Sequence, residues 1–257
     1  MSDAPNHDID VHGRAARGPR QAVLLAGGLG TRLGAVTRCL PKPLLPVQGV
    51  PVIERLIDRL REAGVVECTV VTCHRAAEVE AHLGAGRDLG VRIDFLREPA
   101  PLGTAGCLGL LRRPDRPFFL VNADIVTDLC FRALAERHAI EGATATVAVR
   151  PHAVPIEYGV VEFDSGGLMR SYREKPVHEA IIGMGIYCLD PRVCDHVLPG
   201  EAVSMPDVLA RLLAVGARVF CHRDEGVWRD IGRQQDYDAC QQILLPAVRS
   251  RSASRAA

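Results

Sequence analysis

The chain has 257 residues and carries 31 Lys plus Arg against 31 Asp plus Glu, a formal net charge of zero. That balance gives no field to draw the protein onto nucleic acid or an anionic membrane, so neither is expected as a partner. Its hydrophobic 47% never runs unbroken for about 18 positions, which excludes a spanning helix, and the polar start has no secretory pattern, so a cytoplasmic location is expected.

Residues 1–19 lack periodicity and are expected to be a disordered arm, as is a frayed tail over 246–257. Between them, 20–245 reads as one domain with alternating strand and helix signals. Gln21–Leu25 is short, apolar and closed by glycines, which suits a buried parallel strand. A helix is predicted from Pro51 to about Ala63, with Val52, Ile53, Leu56, Ile57 and Leu60 as its apolar stripe and Gly64 as its stop. Cys68–Thr72 reads as a strand, Ala76–Leu83 as a helix, Val91–Phe95 as a strand, Thr104–Leu111 as a helix and Phe118–Val121 as a buried strand. This succession predicts a doubly wound, Rossmann-like α/β sheet with right-handed crossovers, mixed but mainly parallel. Thr144–Val149, Gly159–Phe163, Gly167–Arg173 and Ile181–Leu189 are strand-like and predict an antiparallel or mixed extension of that sheet. Ser204, with Asp207 three positions on, predicts a capping box for a helix carrying Val208, Leu209, Leu212 and Leu213, and a last helix covers Gln234–Leu245.

Nine cysteines are scattered without a CxxC pair, and the nine histidines show no metal spacing, so both types read as structural. The first chemical signal is Leu25-Ala26-Gly27-Gly28-Leu29-Gly30-Thr31-Arg32-Leu33, directly after the first strand. Its glycines let backbone N–H groups approach a polyphosphate, and Arg32 adds a fork for phosphate oxygens. A P-loop string is absent, and Leu33 stands where a dinucleotide fingerprint needs its last glycine. The second signal is Pro41-Lys42-Pro43, where two prolines stiffen the loop that carries a lysine. Asn122-Ala123-Asp124 ends a buried strand, where open α/β sheets place ligands, and Asp124 is suited to a Mg²⁺ ion.

With these two motifs in order, the chain resembles the sugar-phosphate nucleotidyltransferases, closest in look to the mannose-1-phosphate and manno-heptose-1-phosphate guanylyltransferases. Leu102-Gly103-Thr104-Ala105-Gly106, Tyr158-Gly159-Val160, Glu174-Lys175-Pro176, Gly185-Ile186-Tyr187 and Trp228-Arg229-Asp230-Ile231-Gly232 follow in the family's sequence. The resemblance implies a nucleoside triphosphate and a sugar 1-phosphate as substrates, a nucleotide sugar and pyrophosphate as products, and a homodimer as one expected assembly. It implies Arg32, Lys42, Asp124 and Asp230 as catalytic residues, with Asp124 and Asp230 holding Mg²⁺. Leu25, Ala26, Gly27, Gly28, Gly30, Thr31, Glu98, Gly103 and Thr104 would bind the nucleotide. Asn122, Tyr158, Gly159, Glu174, Lys175 and Gly183 would bind the sugar phosphate. Gly183 stands where the family commonly has an asparagine. Glu98 can accept from two adjacent donors, which guanine offers and thymine or uracil does not, so GTP is expected. A thymidylyl or uridylyl enzyme, a cyclitol phosphate acceptor and a non-catalytic nucleotide sensor remain open alternatives.

Overall fold

The computed structural model describes residues 18–28, 33 and 40–243. The expected tail, and all but the last two residues of the expected arm, lie outside these. In chain order the elements are β1 (Gln21–Leu25), β2 (Pro46–Val47), β3 (Val50–Pro51), α1 (Val52–Glu62), β4 (Glu67–Thr72), α2 (Ala76–Leu83), β5 (Arg92–Arg97), β6 (Phe118–Asn122), β7 (Ile125–Thr127), α3 (Phe131–Ile140), β8 (Ala145–Pro155), β9 (Val160–Phe163), β10 (Met169–Arg173), β11 (Val177–Leu189), α4 (Met205–Ala214), β12 (Val219–Arg223), β13 (Trp228–Asp230) and α5 (Gln234–Gln242).

The central sheet runs β12-β8-β11-β6-β1-β4-β5. Strands β6, β1, β4 and β5 are mutually parallel, β11 is antiparallel to both neighbours, and β12 is parallel to β8. The mixed, mainly parallel α/β architecture is the one the sequence predicts. Each face of the sheet is packed. Ile53, Leu56, Ile57 and Leu60 of α1 lie on one face with Leu24, Val70, Val121 and Phe131. Val208 and Leu212 of α4 lie on the other with Val23, Leu120, Val147 and Leu189. The buried cysteines Cys68, Cys107 and Cys188 belong to these cores, and burial pushes the Cys68 and Cys107 thiols up to about 12. Among the described residues no helix is long and apolar enough to cross a membrane.

Three sequence expectations change. Thr104–Leu111 is not an α-helix: only a 3-10 turn over Gly106–Gly109 forms. A Cβ on Gly106 would stand 2.5 Å from the Glu201 carbonyl oxygen, and one on Gly109 2.4 Å from that of Leu198. The segment thus packs backbone against backbone, which glycine permits and a helix surface does not. Second, the β9–β10 pair is a separate two-stranded antiparallel ribbon rather than part of the main sheet. Third, α3 and the short β7–β13 pairing were not foreseen. The capping box on α4 does form: Asp207 N–H donates to Ser204 Oγ at 3.4 Å and Ser204 N–H to Asp207 Oδ2 at 3.2 Å.

Candidate active site

At the carboxyl ends of β1 and β6 lies a cleft of about 350 Å³, lined by Leu25, Ala26, Gly27, Gly28, Lys42, Pro43, Val71, Glu98, Pro101, Gly103, Thr104, Asn122, Asp124 and Asp230. Topology explains the place. β1 and β6 are adjacent and parallel, so both chains leave the sheet at the same edge. The bond from Ala123 N–H to the Leu25 carbonyl, 3.1 Å, ties the two exits together.

Lys42 enters from a stiff loop. Pro41 precedes a single 3-10 turn, Leu44 N–H donates to the Pro41 carbonyl at 2.9 Å, and Pro43 and Leu44 are buried. The backbone is therefore anchored and the ammonium is presented to two carboxylates. Lys42 Nζ donates to Asp124 Oδ2 and lies 3.4 Å from Asp230 Oδ1. Asp230 comes from β13, which pairs with β7 so that Asp230 sits opposite Ile125, and Ile231 N–H donates to the Asp124 carbonyl at 3.0 Å. Residues 106 positions apart in sequence are held together by this small sheet. Burial pushes the Asp124 carboxyl up, Lys42 pulls it back, and the nearby Asp230 charge pushes it up again. Asp124 Oδ1 is buried without a hydrogen-bond partner.

This donor set fits a hard divalent cation. Two carboxylates converge, one with an oxygen that has no partner, and a hard ion of the Mg²⁺ type takes few protein ligands while keeping water or substrate oxygens. Among the described residues no cluster of three or more metal-ligating side chains occurs.

Glu98 lines the same cleft from the loop after β5. Its N–H donates to the Thr72 carbonyl at 2.8 Å, and its Oε2 accepts from Leu102 N–H at 3.3 Å. The side chain is buried and Oε1 has no partner. Burial raises its pKa, opposed by the Leu102 N–H. A buried acceptor left open in a cleft marks a place for a donor. Gly103 supports the loop at φ +82°, and a Cβ there would lie 2.5 Å from the Val203 carbonyl oxygen. Thr104 Oγ1 accepts from Met205 N–H at 2.8 Å, so its hydroxyl also caps α4.

Of the expected site residues, Gly30, Thr31 and Arg32 lie outside the described residues. Tyr158, Gly159, Glu174, Lys175 and Gly183 do not line the cleft; they sit on the arm formed by β8, β11 and the β9–β10 ribbon. Tyr172 Oη donates to Glu174 Oε2 at 2.7 Å, and a Cβ on Gly159 would meet Tyr172 Oη at 2.2 Å, so the exposed Tyr172 ring packs over the Gly159 backbone and a side chain there would have to displace it. Lys175 adopts φ +44°, a strained value for a lysine. A Cβ on Gly183 would find only Val147 Cγ1 at 3.9 Å, so there is room for a side chain. Pro43, Val71 and Pro101 line the cleft without having been singled out; Pro43 lies inside a motif already marked and Pro101 directly before one, whereas Val71 carries no signal beyond its strand.

A nucleotidyl transferase family model matches residues 21–245. The rice (Oryza sativa subsp. japonica) protein named "Probable mannose-1-phosphate guanylyltransferase 3" is 34% identical over 248 residues, 92% of this chain and 68% of that protein. The "Mannose-1-phosphate guanyltransferase" of Schizosaccharomyces pombe is 34% identical over 238 residues, 89% of this chain and 65% of its own length. The chain thus spans about two thirds of these relatives. Among solved structures, HddC from Yersinia pseudotuberculosis superposes with a TM-score of 0.67 at 25% identity, covering 86% of this chain and 98% of that one. The cleft at the strand ends, the paired aspartates around a clamped lysine and the family match over nearly the whole described chain agree: this protein belongs to the nucleotidyl transferase family.

Proposed function

We propose that the chain transfers a guanylyl group from GTP to a sugar 1-phosphate of manno configuration, mannose 1-phosphate or a manno-heptose 1-phosphate, forming a GDP-sugar and pyrophosphate. The observation that carries the reading is that one cleft holds both Lys42 between Asp124 and Asp230 and Glu98 with its unpartnered Oε1. The names of the relatives support the substrate pair.

A sugar 1-phosphate is close to doubly charged at neutral pH, because its second pKa is about 6. It is a nucleophile without a general base. Its phosphate oxygen attacks the α-phosphorus of GTP in line, a new P–O bond forms, the bond to the β-phosphate bridging oxygen breaks, and pyrophosphate leaves with that electron pair. What the chain must supply is close approach of two anions and neutralisation of charge around the α-phosphate. Gly27 and Gly28 bring backbone to the triphosphate. Lys42, held by its prolines, presents a fixed positive charge. Asp124 and Asp230 would hold a Mg²⁺ ion, which when bound neutralises phosphate oxygens and assists the leaving group. Glu98 accepts from guanine N1–H and the 2-amino group. On the arm, Lys175 pairs with the sugar phosphate and Glu174 accepts from sugar hydroxyls, while Asn122 borders the junction between the two halves.

The test is pyrophosphate release measured for GTP, ATP, CTP, UTP and dTTP in competition, with mannose 1-phosphate as acceptor and Mg²⁺ fixed. GTP should lead ATP by at least a few hundredfold in kcat/KM, because adenine lacks both donors and leaves a buried carboxylate unpaired, a loss of about 3–5 kcal/mol. Preference for dTTP or UTP would overturn the base assignment. Absence of turnover with every pair would overturn the enzyme reading in favour of a nucleotide sensor.

A further inference from the structure

A second cavity, of about 480 Å³, shares no lining residue with the cleft; its floor is Gln21 of β1, Glu67 and Thr69 of β4, and Arg92, Asp94, Phe95 and Leu96 of β5. Register places Gln21, Glu67 and Arg92 in one row across these three parallel strands, Val23, Thr69 and Asp94 in the next, and Leu25, Val71 and Leu96 in the third. Residues in register share a face. One face of the sheet therefore grades from a polar floor to the apolar row whose Leu25 and Val71 line the catalytic cleft. The segment Leu110–Asp115 overhangs the polar part, so the floor is concave rather than a plain solvated edge.

The charges of this cavity nearly close among themselves. Arg92 lies 3.2 Å from both Glu67 and Asp94, Arg113 lies 2.5 Å from Asp195, and Asp115 lies 3.4 Å from Arg116. Two groups are left over. Arg112 has no ion-pair or hydrogen-bond partner among the described residues. Gln21 Nε2 donates to Glu67 Oε2 at 2.8 Å, which fixes the amide, and its Oε1 is buried with no partner. An open guanidinium takes a phosphate or carboxylate in bidentate fashion, and an open buried carbonyl takes an O–H or N–H donor. The carboxylates are already satisfied by Arg92, so an ammonium finds no free partner there. The lining is mainly polar, which disfavours an apolar ligand.

We propose that this cavity is a second ligand site for a small phosphorylated polyol, with the phosphate on Arg112 and a hydroxyl donating to Gln21 Oε1. The volume falls in the range of small-molecule sites, about 300–1,000 Å³. The site is separate from the cleft and does not depend on the guanylyltransferase reading. The overhanging segment is continuous in sequence with the turn over Gly106–Gly109 and with Gly103 and Thr104 of the cleft.

The experiment is calorimetric titration of the full chain with mannose 6-phosphate, inorganic phosphate and unphosphorylated mannose. Lys42→Ala is included to disable the cleft and Arg112→Gln to disable the second site. Arg112 is exposed, so its replacement leaves the fold intact. Saturable binding of mannose 6-phosphate is expected, retained in Lys42→Ala, weakened about tenfold or more in Arg112→Gln, and weakened again by Gln21→Leu. Turnover without mannose 6-phosphate should be unchanged by Arg112→Gln. Loss of binding in Lys42→Ala but not in Arg112→Gln would place the ligand in the cleft and overturn the proposal, as would no saturation. Equal affinity for mannose would overturn the phosphate assignment, and equal affinity for inorganic phosphate would overturn the polyol.

Discussion

Lys42 and Glu98 are the two charged side chains of the cleft whose surroundings differ most. Lys42 sits between two carboxylates on a loop whose prolines and buried Leu44 hold it in place. Lys42→Ala should lower turnover by about a hundredfold or more, the scale seen for fixed electrostatic groups, with unchanged far-ultraviolet circular dichroism. Retained activity would remove Lys42 from the mechanism. Glu98 is a buried acid whose folded-state pKa is raised by burial. Between its unfolded pKa, about 4.3, and its folded one, the folded state binds more protons than the unfolded. Its contribution is thus present at low pH and lost as pH rises through the folded pKa. Glu98→Gln should raise the thermal midpoint of the ligand-free protein more at pH 8 than at pH 4, while reducing GTP over ATP selectivity. A variant that lowers the midpoint equally at both would show that the carboxylate is not held against burial. Lys42 was legible in its own neighbourhood because prolines flank it, whereas Glu98 was marked only through the family resemblance. That Lys42 contacts Asp124 was not legible, since the two lie 82 positions apart and no local pattern links the proline-flanked loop to the end of β6.

At the level of elements, periodicity sufficed where an apolar stripe was clean, as in α1 with Val52, Ile53, Leu56, Ile57 and Leu60 all buried. It failed at α3. There the buried positions are Phe131, Leu134 and His138, so a polar residue occupies the stripe, and Cys130 provides no side-chain cap. It also failed at Gly106–Gly109, where apolar spacing suggested a helix but the glycines serve a close backbone approach. His138 gives α3 a measurable signature. Its Nδ1 lies 3.0 Å from Thr146 Oγ1 on β8, and burial lowers its pKa from 6.5 to about 4, with Asp190 opposing. The unfolded chain takes up this proton at higher pH than the folded one, so stability present above pH 6.5 is lost as pH falls toward 4. At about 1.4 kcal/mol per pKa unit the loss approaches about 3 kcal/mol. Denaturant unfolding followed against pH should show this acid limb in the parent and a flatter one in His138→Gln. Equal slopes would assign the acid sensitivity to other groups.

On the scale of the whole molecule, the cleft and the arm are built differently. Leu25, Gly27, Gly28, Lys42, Glu98 and Asp124 are set by a parallel sheet packed on both faces, and they share one cleft. Tyr158, Gly159, Glu174 and Lys175 lie on and beside a two-stranded ribbon outside that sheet, where Val161, Phe163, Met169 and Tyr172 are exposed. A two-stranded ribbon holds little stability of its own, so substitutions there should act locally. Lys175→Ala and Glu174→Gln should therefore raise KM for the sugar 1-phosphate by about tenfold or more, roughly the worth of one charge-assisted hydrogen bond, and leave GTP affinity unchanged. Gly183→Asn belongs to the same class: a Cβ there meets only Val147 Cγ1 at ordinary contact distance, and the added amide should shift preference among sugar 1-phosphates without altering the choice of base. The measurements are initial rates with varied acceptor and calorimetric GTP titration of each variant. Should GTP affinity fall in parallel with sugar phosphate affinity, the two halves would be one coupled site, and the division drawn from the sheet topology would be wrong.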